Sequence, residues 1–135
     1  IYLETNATLS EKFLEIKPFV DIVSADIKLE SATGIKNSYK FHDKFFEACQ
    51  GVETFAKIVF NSKITDEEIA KCCNLGKKYG IELVLQPEMG FNNTLEHPDF
   101  MTVNSEFCAK ILDKFLANYS NVRLIPQVHK FLDVR

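Results

Sequence analysis

The sequence predicts an α/β fold built on a mostly parallel sheet, and three observations predict it. Extended apolar runs alternate with amphipathic helical patterns along all 135 residues, the pattern of repeated βα units. The runs are apolar at nearly every position, as strands of a parallel sheet covered on both faces are. Each run also turns polar towards its C-terminal end, the end at which α/β folds bind ligands.

The elements follow in order, giving about five strands and four helices. "IYLETN" is strand-like, and "SEKFLEIK" is a short helix that Pro18 ends, because proline lacks the donor a helix needs. "FVDIVSADIKL" is the second strand, and "ESATGIKNS" is a loop. In "YKFHDKFFEAC", Phe41, Phe45, Phe46 and Cys49 recur at helical spacing. "TFAKIVFNS" is the third strand. "TDEEIAKCCNLGKKYG" opens with Thr65 and Glu68 in capping-box register and stops at Gly80. "IELVLQP" is the fourth strand. After a loop containing "GFNNTLEHPDF", the segment "NSEFCAKILDKFLANY" aligns Phe107, Cys108, Ile111, Leu112, Phe115 and Tyr119 in one apolar stripe. "NVRLIPQVH" is the fifth strand, at an edge or ending where Pro126 interrupts it.

Composition bounds the setting. Hydrophobic residues are 46% and charged residues 26% of the chain, the profile of one globular domain over residues 1–135. Sixteen Lys and Arg against nineteen Asp and Glu leave a net charge of -3. That provides no basic field for nucleic acid or acidic membranes, and points to a small or local ligand. No apolar run approaches the ~18 residues of a membrane span, so the expected location is the cytoplasm. The four cysteines, Cys49, Cys72, Cys73 and Cys108, form no CxxC pair or regular ladder, so they read as core thiols rather than a disulfide framework. The chain opens directly in strand-like sequence, and the expectation is a piece of a longer protein.

Side chains alternate across a strand, so Ser24, Asp26 and Lys28 share one face while Val23, Ala25, Ile27 and Leu29 share the other. The apolar face packs on helices; the polar one must face an opposite layer or a barrel interior, since unpaired buried charge costs several kcal/mol. Glu4 alternates with Asn6, Lys57 with Asn61, and Gln127 with His129, and Gln86 stands near the end of the fourth strand. A single Asp-Lys pair is ordinarily structural. Five strands with the same polar end favour a site. His42 and His97 read as capping or solvated residues, and no two histidines have zinc-ligand spacing.

The stretches "ETNATL", "VDIVSADIKL", "KIVF", "LVLQPEM" and above all "RLIPQVHKFLDVR" resemble the C-terminal part of radical S-adenosylmethionine enzymes. Within the organic-radical-activating family the resemblance is to the 7-carboxy-7-deazaguanine synthase group, and it spans nearly the whole chain. It implies a partial (βα)6 barrel of which this is the C-terminal half. It places Ser24, Asp26 and Lys28 beside the ribose and amino-acid parts of S-adenosylmethionine, with Glu4 facing the same cosubstrate or the substrate. Gln86 and Pro87, in the stretch running to Met89, fall near adenine. Asn6, Gln127, His129 and Lys130 fall on the substrate side. The implied reaction converts 6-carboxytetrahydropterin to 7-carboxy-7-deazaguanine in queuosine-type synthesis, a carbon-nitrogen lyase chemistry. It implies a 4Fe-4S cluster in the complete enzyme, an optional magnesium ion, a flavodoxin- or ferredoxin-type electron donor, and allows a homodimer.

The sequence departs from the family at several points. The cluster motif CxxxCxxC and the glycine-rich GGEP element are absent from this chain, so the chain alone is expected to be inactive. Ala7 and Asp133 stand where glycine is common, and Glu88 follows the fourth-strand proline. Two other readings compete: a glycyl-radical enzyme activating protein, and a non-catalytic α/β binding module.

Overall fold

A computed structural model describes residues 1–36, 38–88 and 98–125, with 98–104 as backbone alone. Five strands, β1 (Tyr2–Thr5), β2 (Ile22–Ile27), β3 (Glu53–Phe60), β4 (Glu82–Pro87) and β5 (Val122–Leu124), pair in parallel and in chain order. The helices are α1 (Ser10–Ile16), α2 (Glu30–Thr33), α3 (Tyr39–Ala48), α4 (Asp66–Tyr79) and α5 (Pro98–Leu116), and a 3-10 turn, Lys17–Phe19, carries Pro18. The expected α/β class and parallel sheet are thus present. Consecutive strand order is that of a barrel wall, in contrast to the reversed order of a doubly wound sheet.

Crossovers between parallel strands share one hand, so strands added in chain order put their helices on the same side. Burial confirms it. Val23, Ala25, Ala56, Ile58, Leu83 and Leu85 are 0% exposed on one sheet face, except that the flanking Ile27 is 5% exposed. They join Phe13, Phe45, Phe46, Ile69, Cys72, Ile111 and Phe115 in one core. The helix layer runs α1, α3, α4, α5 in neighbouring contact. The opposite parity, Glu4, Ser24, Phe55 and Glu82 in one row and Asp26, Lys57, Val84 and Arg123 in the next, faces away from every described helix.

Local signals match where capping chemistry is explicit. Thr65 accepts from the Glu68 N–H at 3.1 Å, and Glu68 accepts from the Thr65 N–H at 3.0 Å, a reciprocal cap for two donors a helix start leaves unpaired. Gly80 ends the helix at φ 66°, a conformation that costs glycine little. Two boundaries differ. The loop after β2 contains α2, closed by Gly34 at φ 76°. The last helix begins at Pro98, upstream of the expected Asn104; proline's fixed φ suits a first helical turn, and its missing N–H is not needed there.

The stripe of α3 also differs. Phe41 is 46% exposed, and His42, Phe45, Phe46 and Cys49 are the buried set. Positions 42, 45, 46 and 49 fall on one helical face, whereas 41 lies about a hundred degrees away.

Packing of α4 against β4 depends on Gly76. A Cβ there would lie 2.6 Å from Cε2 of Tyr119, whose hydroxyl is held by the Ile81 carbonyl at 2.8 Å, and 3.3 Å from Leu83. The ring cannot simply swing away. Gly76→Ala is expected to destabilise the chain by about 1–3 kcal/mol through overpacking, despite alanine's better helix propensity. Thermal melts of the variant check this, and a melting temperature at or above the parent's would contradict it.

Candidate polar site on the open sheet face

The C-terminal ends of β1 to β4 place their polar residues on the uncovered face. Asp26 is at the centre: Lys28 Nζ donates to its Oδ2 at 3.3 Å, and Lys57 Nζ lies 3.8 Å from Oδ1. Pairing of residues 26 and 57 across β2 and β3 brings Lys57 there. Lys28, two residues beyond Asp26, rejoins the same face by strand alternation. The three side chains are only 29–36% exposed. One carboxylate between two ammonium groups leaves a surplus positive charge beside an acceptor, a set able to hold a zwitterion by both its ends.

The structure distributes the remaining predicted residues unevenly. Ser24 is 3% exposed, flanked in register by Glu4 and Phe55. Glu4 is exposed on the same face. Asn6 lies just past β1, and its Oδ1 accepts from the Thr8 hydroxyl at 2.8 Å. Gln86 shares the open face with Val59, while Pro87 is buried on the opposite face, in register with Phe60. Met89, His97, Gln127, His129, Lys130 and Asp133 lie outside the described residues. Lys57, by contrast, joins the cluster although the sequence suggested only its parity.

His42 differs from the expected capping or solvated role and borders the charge cluster. It is 1% exposed, not solvated. Its Nε2 lies 3.1 Å from the Lys28 N–H and its Nδ1 3.0 Å from the Ala7 carbonyl. A backbone N–H can only donate and a carbonyl only accept, so Nε2 accepts, Nδ1 carries the hydrogen, and the ring is neutral. Burial pushes its pKa below the usual imidazole value; the Ala7 carbonyl opposes that shift, Lys28 adds to it and Asp26 opposes it. Ala7 has φ 59°, a conformation that glycine would adopt freely. The signal available in sequence was the place of His42 in the 42, 45, 46, 49 stripe.

A cavity of about 700 Å3 adjoins this ring on the helix side, between the end of β2 and the starts of α3 and α4, lined by Ile27, Leu29, Ser38, Tyr39 and Glu68. Glu68 ties two of its walls together, accepting from the Ser31 N–H at 3.1 Å and hydroxyl at 2.7 Å besides Thr65. Burial raises the Glu68 pKa, but those hydrogen bonds outweigh it and hold the carboxyl below its ordinary range.

The cysteines offer no metal centre. Among the described residues no group of three His, Cys, Asp or Glu side chains converges. All four thiols are free and buried; burial pushes Cys49 up to about 11 and raises Cys72, Cys73 and Cys108 as well. Likewise, no described helix is long and apolar enough to cross a membrane.

No protein-family model matches the chain. Individual proteins do. It is 31% identical over 134 residues, 98% of its length, to a 7-carboxy-7-deazaguanine synthase of Geobacter sulfurreducens. It is 33% identical over 142 aligned residues to the protein of that name in Archaeoglobus fulgidus, and 32% identical over 140 to that of Methanopyrus kandleri. The chain is a relative of the 7-carboxy-7-deazaguanine synthases. It spans about half the length of these relatives, 51%, 56% and 48% respectively.

The buried neutral His42 makes stability depend on pH. Its folded pKa is lowered, so between that value and the unfolded value of about 6.5 the unfolded chain binds the proton and the folded chain does not. Stability is therefore expected to fall as pH drops below about 6.5 and to level off below the folded pKa. Urea midpoints measured against pH should show this slope, and His42→Gln should flatten it; an unchanged slope in the variant would contradict the assignment.

Proposed function

We propose that this chain is part of a radical S-adenosylmethionine enzyme that converts 6-carboxytetrahydropterin to 7-carboxy-7-deazaguanine in queuosine-type synthesis. The observation that carries the reading is similarity across 98–99% of the chain to three proteins of that synthase name. The similarity does not favour a glycyl-radical activating protein or a bare binding module. A flavodoxin- or ferredoxin-type electron donor, a homodimer, a magnesium ion and a cytoplasmic location belong to the same proposal.

The polar sheet face suits the cosubstrate. Asp26 would receive the ammonium of its amino-acid part, with Lys28, supported by Lys57, at the carboxylate. Glu4 and Ser24 stand in the adjoining row for the ribose hydroxyls, and Gln86 on the same face for adenine. Asn6, Gln127, His129 and Lys130 form the substrate side of the proposal. A 4Fe-4S cluster does not fit this chain's own residues: it needs several thiolates converging on one point, and the four thiols here are buried, protonated and without such convergence among the described residues. Its ligands would have to come from the part of the relatives' length that this chain does not span.

Two measurements test the reading. In the complete protein, Lys28→Ala is expected to weaken S-adenosylmethionine binding by about 1.5–3 kcal/mol, the range for a hydrogen bond to a charged group. His129→Ala should raise the pterin requirement and leave cosubstrate affinity nearly intact. Calorimetric titration of each ligand into each variant decides it; equal losses in both ligands, or no pterin binding by the parent protein, would sink the proposal.

Anaerobic reconstitution of the present chain with iron and sulfide should also yield no cluster absorbance. Stoichiometric, cysteine-dependent iron uptake would overturn the placement of the ligands elsewhere.

A further inference from the structure

We infer that His42 is a positioning residue for the cosubstrate site: through its two ring nitrogens it sets the end of β2, and with it Lys28, relative to the turn that follows β1. The inference rests on the reading of the Asp26–Lys28–Lys57 face as the place of S-adenosylmethionine.

Regular pairing of β2 with β3 stops at Ile27 and Ile58, so the N–H of Lys28 lies beyond the last paired residue of the ladder. That N–H is donated to His42 Nε2. A backbone donor left unpaired here would pull residue 28 towards water or another acceptor, and Lys28 Nζ would leave Asp26 Oδ2, which it reaches at 3.3 Å. The other ring nitrogen acts on the neighbouring strand end. Ala7 is 0% exposed and held at φ 59°, its N–H donated to Thr5 Oγ1 at 3.1 Å and its carbonyl taken by His42 Nδ1. Asn6, the residue before it, is a substrate-side candidate. One imidazole therefore spans the ends of two adjacent strands, each bearing residues of the proposed site.

The rigidity comes from packing. His42 lies on the buried stripe of α3 beside Phe45 and Phe46, which are 1% and 0% exposed. The Phe45 ring packs at 5.1 Å, tilted by 52°, against Phe13 of α1. The ring is thus anchored in the core while its two nitrogens face the loops. It does not have to touch the cosubstrate to affect its binding, since displacing a charged group from its binding geometry loses affinity.

Two isosteric replacements separate this role from general support of the fold. In His42→Gln the side-chain carbonyl reaches the Nε2 position and can still accept from the Lys28 N–H. In His42→Asn the amide nitrogen reaches the Nδ1 position and keeps the Ala7 bond alone. In the complete protein, His42→Asn is expected to raise the S-adenosylmethionine dissociation constant about ten-fold or more, and His42→Gln less than about three-fold, with comparable losses in melting temperature. Equal affinity losses, or losses that simply follow melting temperature, would overturn the inference while leaving the cosubstrate reading intact. No binding by the parent protein would overturn both. If His42→Asn does not fold, the parent's nitrogen-15 histidine spectrum serves instead: the His42 Nε2 resonance should shift when S-adenosylmethionine is added, and a resonance that stays in place would count against the inference.

Discussion

Parallel strands joined in chain order, with crossovers of one hand, constrain everything else in this chain. Each crossover returns its helix to the same side of the sheet, so the hydrophobic core is one-sided. Val23, Ala25, Ala56, Ile58, Leu83 and Leu85 meet the helices, and the alternate residues cannot. The other face is consequently free to carry charge. Asp26, Lys28 and Lys57 keep enough contact with water to escape the penalty that full burial would impose on them. The same topology aligns all five strands' C-terminal ends along one edge, where the polar residues gather.

That edge is stabilised by the buried His42 and the half-buried Glu68 more than by surface ion pairs. His42 joins the turns after β1 and β2, and Glu68 joins α2 to the start of α4. His42 satisfies one backbone donor and one backbone acceptor, and Glu68 accepts from two backbone N–H groups and two hydroxyls. Breaking one partner of such an arrangement costs more than forming it gains, because the remaining groups are left dry and unpaired. The exposed pairs, such as Lys114 with Asp66 and Lys71 with Glu67, contribute little by comparison. A proposed binding face made of strand ends is thereby set on loops whose backbone is held from beneath by the helix layer.

The similarity to the synthases and the geometry bear on different parts of the functional reading. Similarity over 98–99% of the chain supplies the kinship to the synthases, and the sheet face supplies the charge cluster on which the proposed cosubstrate site rests. The thiols bear on the proposed cluster, for which they offer no converging ligand set among the described residues. Being buried and protonated in the helix layer, they serve the core, as their helical spacing already suggested.

The sequence by itself determined the order of strands and helices, the face on which Asp26 and Lys28 lie, and the capped ends of α4, because all three follow from local periodicity and from hydrogen bonds between residues only a few positions apart. The candidate residues at the ends of β1 and β2 were legible for the same reason: alternation along a strand is a local property. Only the tertiary structure decided that Lys57 completes the charge cluster with Asp26 and Lys28, and that His42 meets the Lys28 N–H and the Ala7 carbonyl. Those outcomes depend on register between strands and on partners 14 and 35 residues away along the chain. A lone histidine in an aromatic helix carries no local sign of which distant N–H and carbonyl it will meet; the parallel sheet brings them to it.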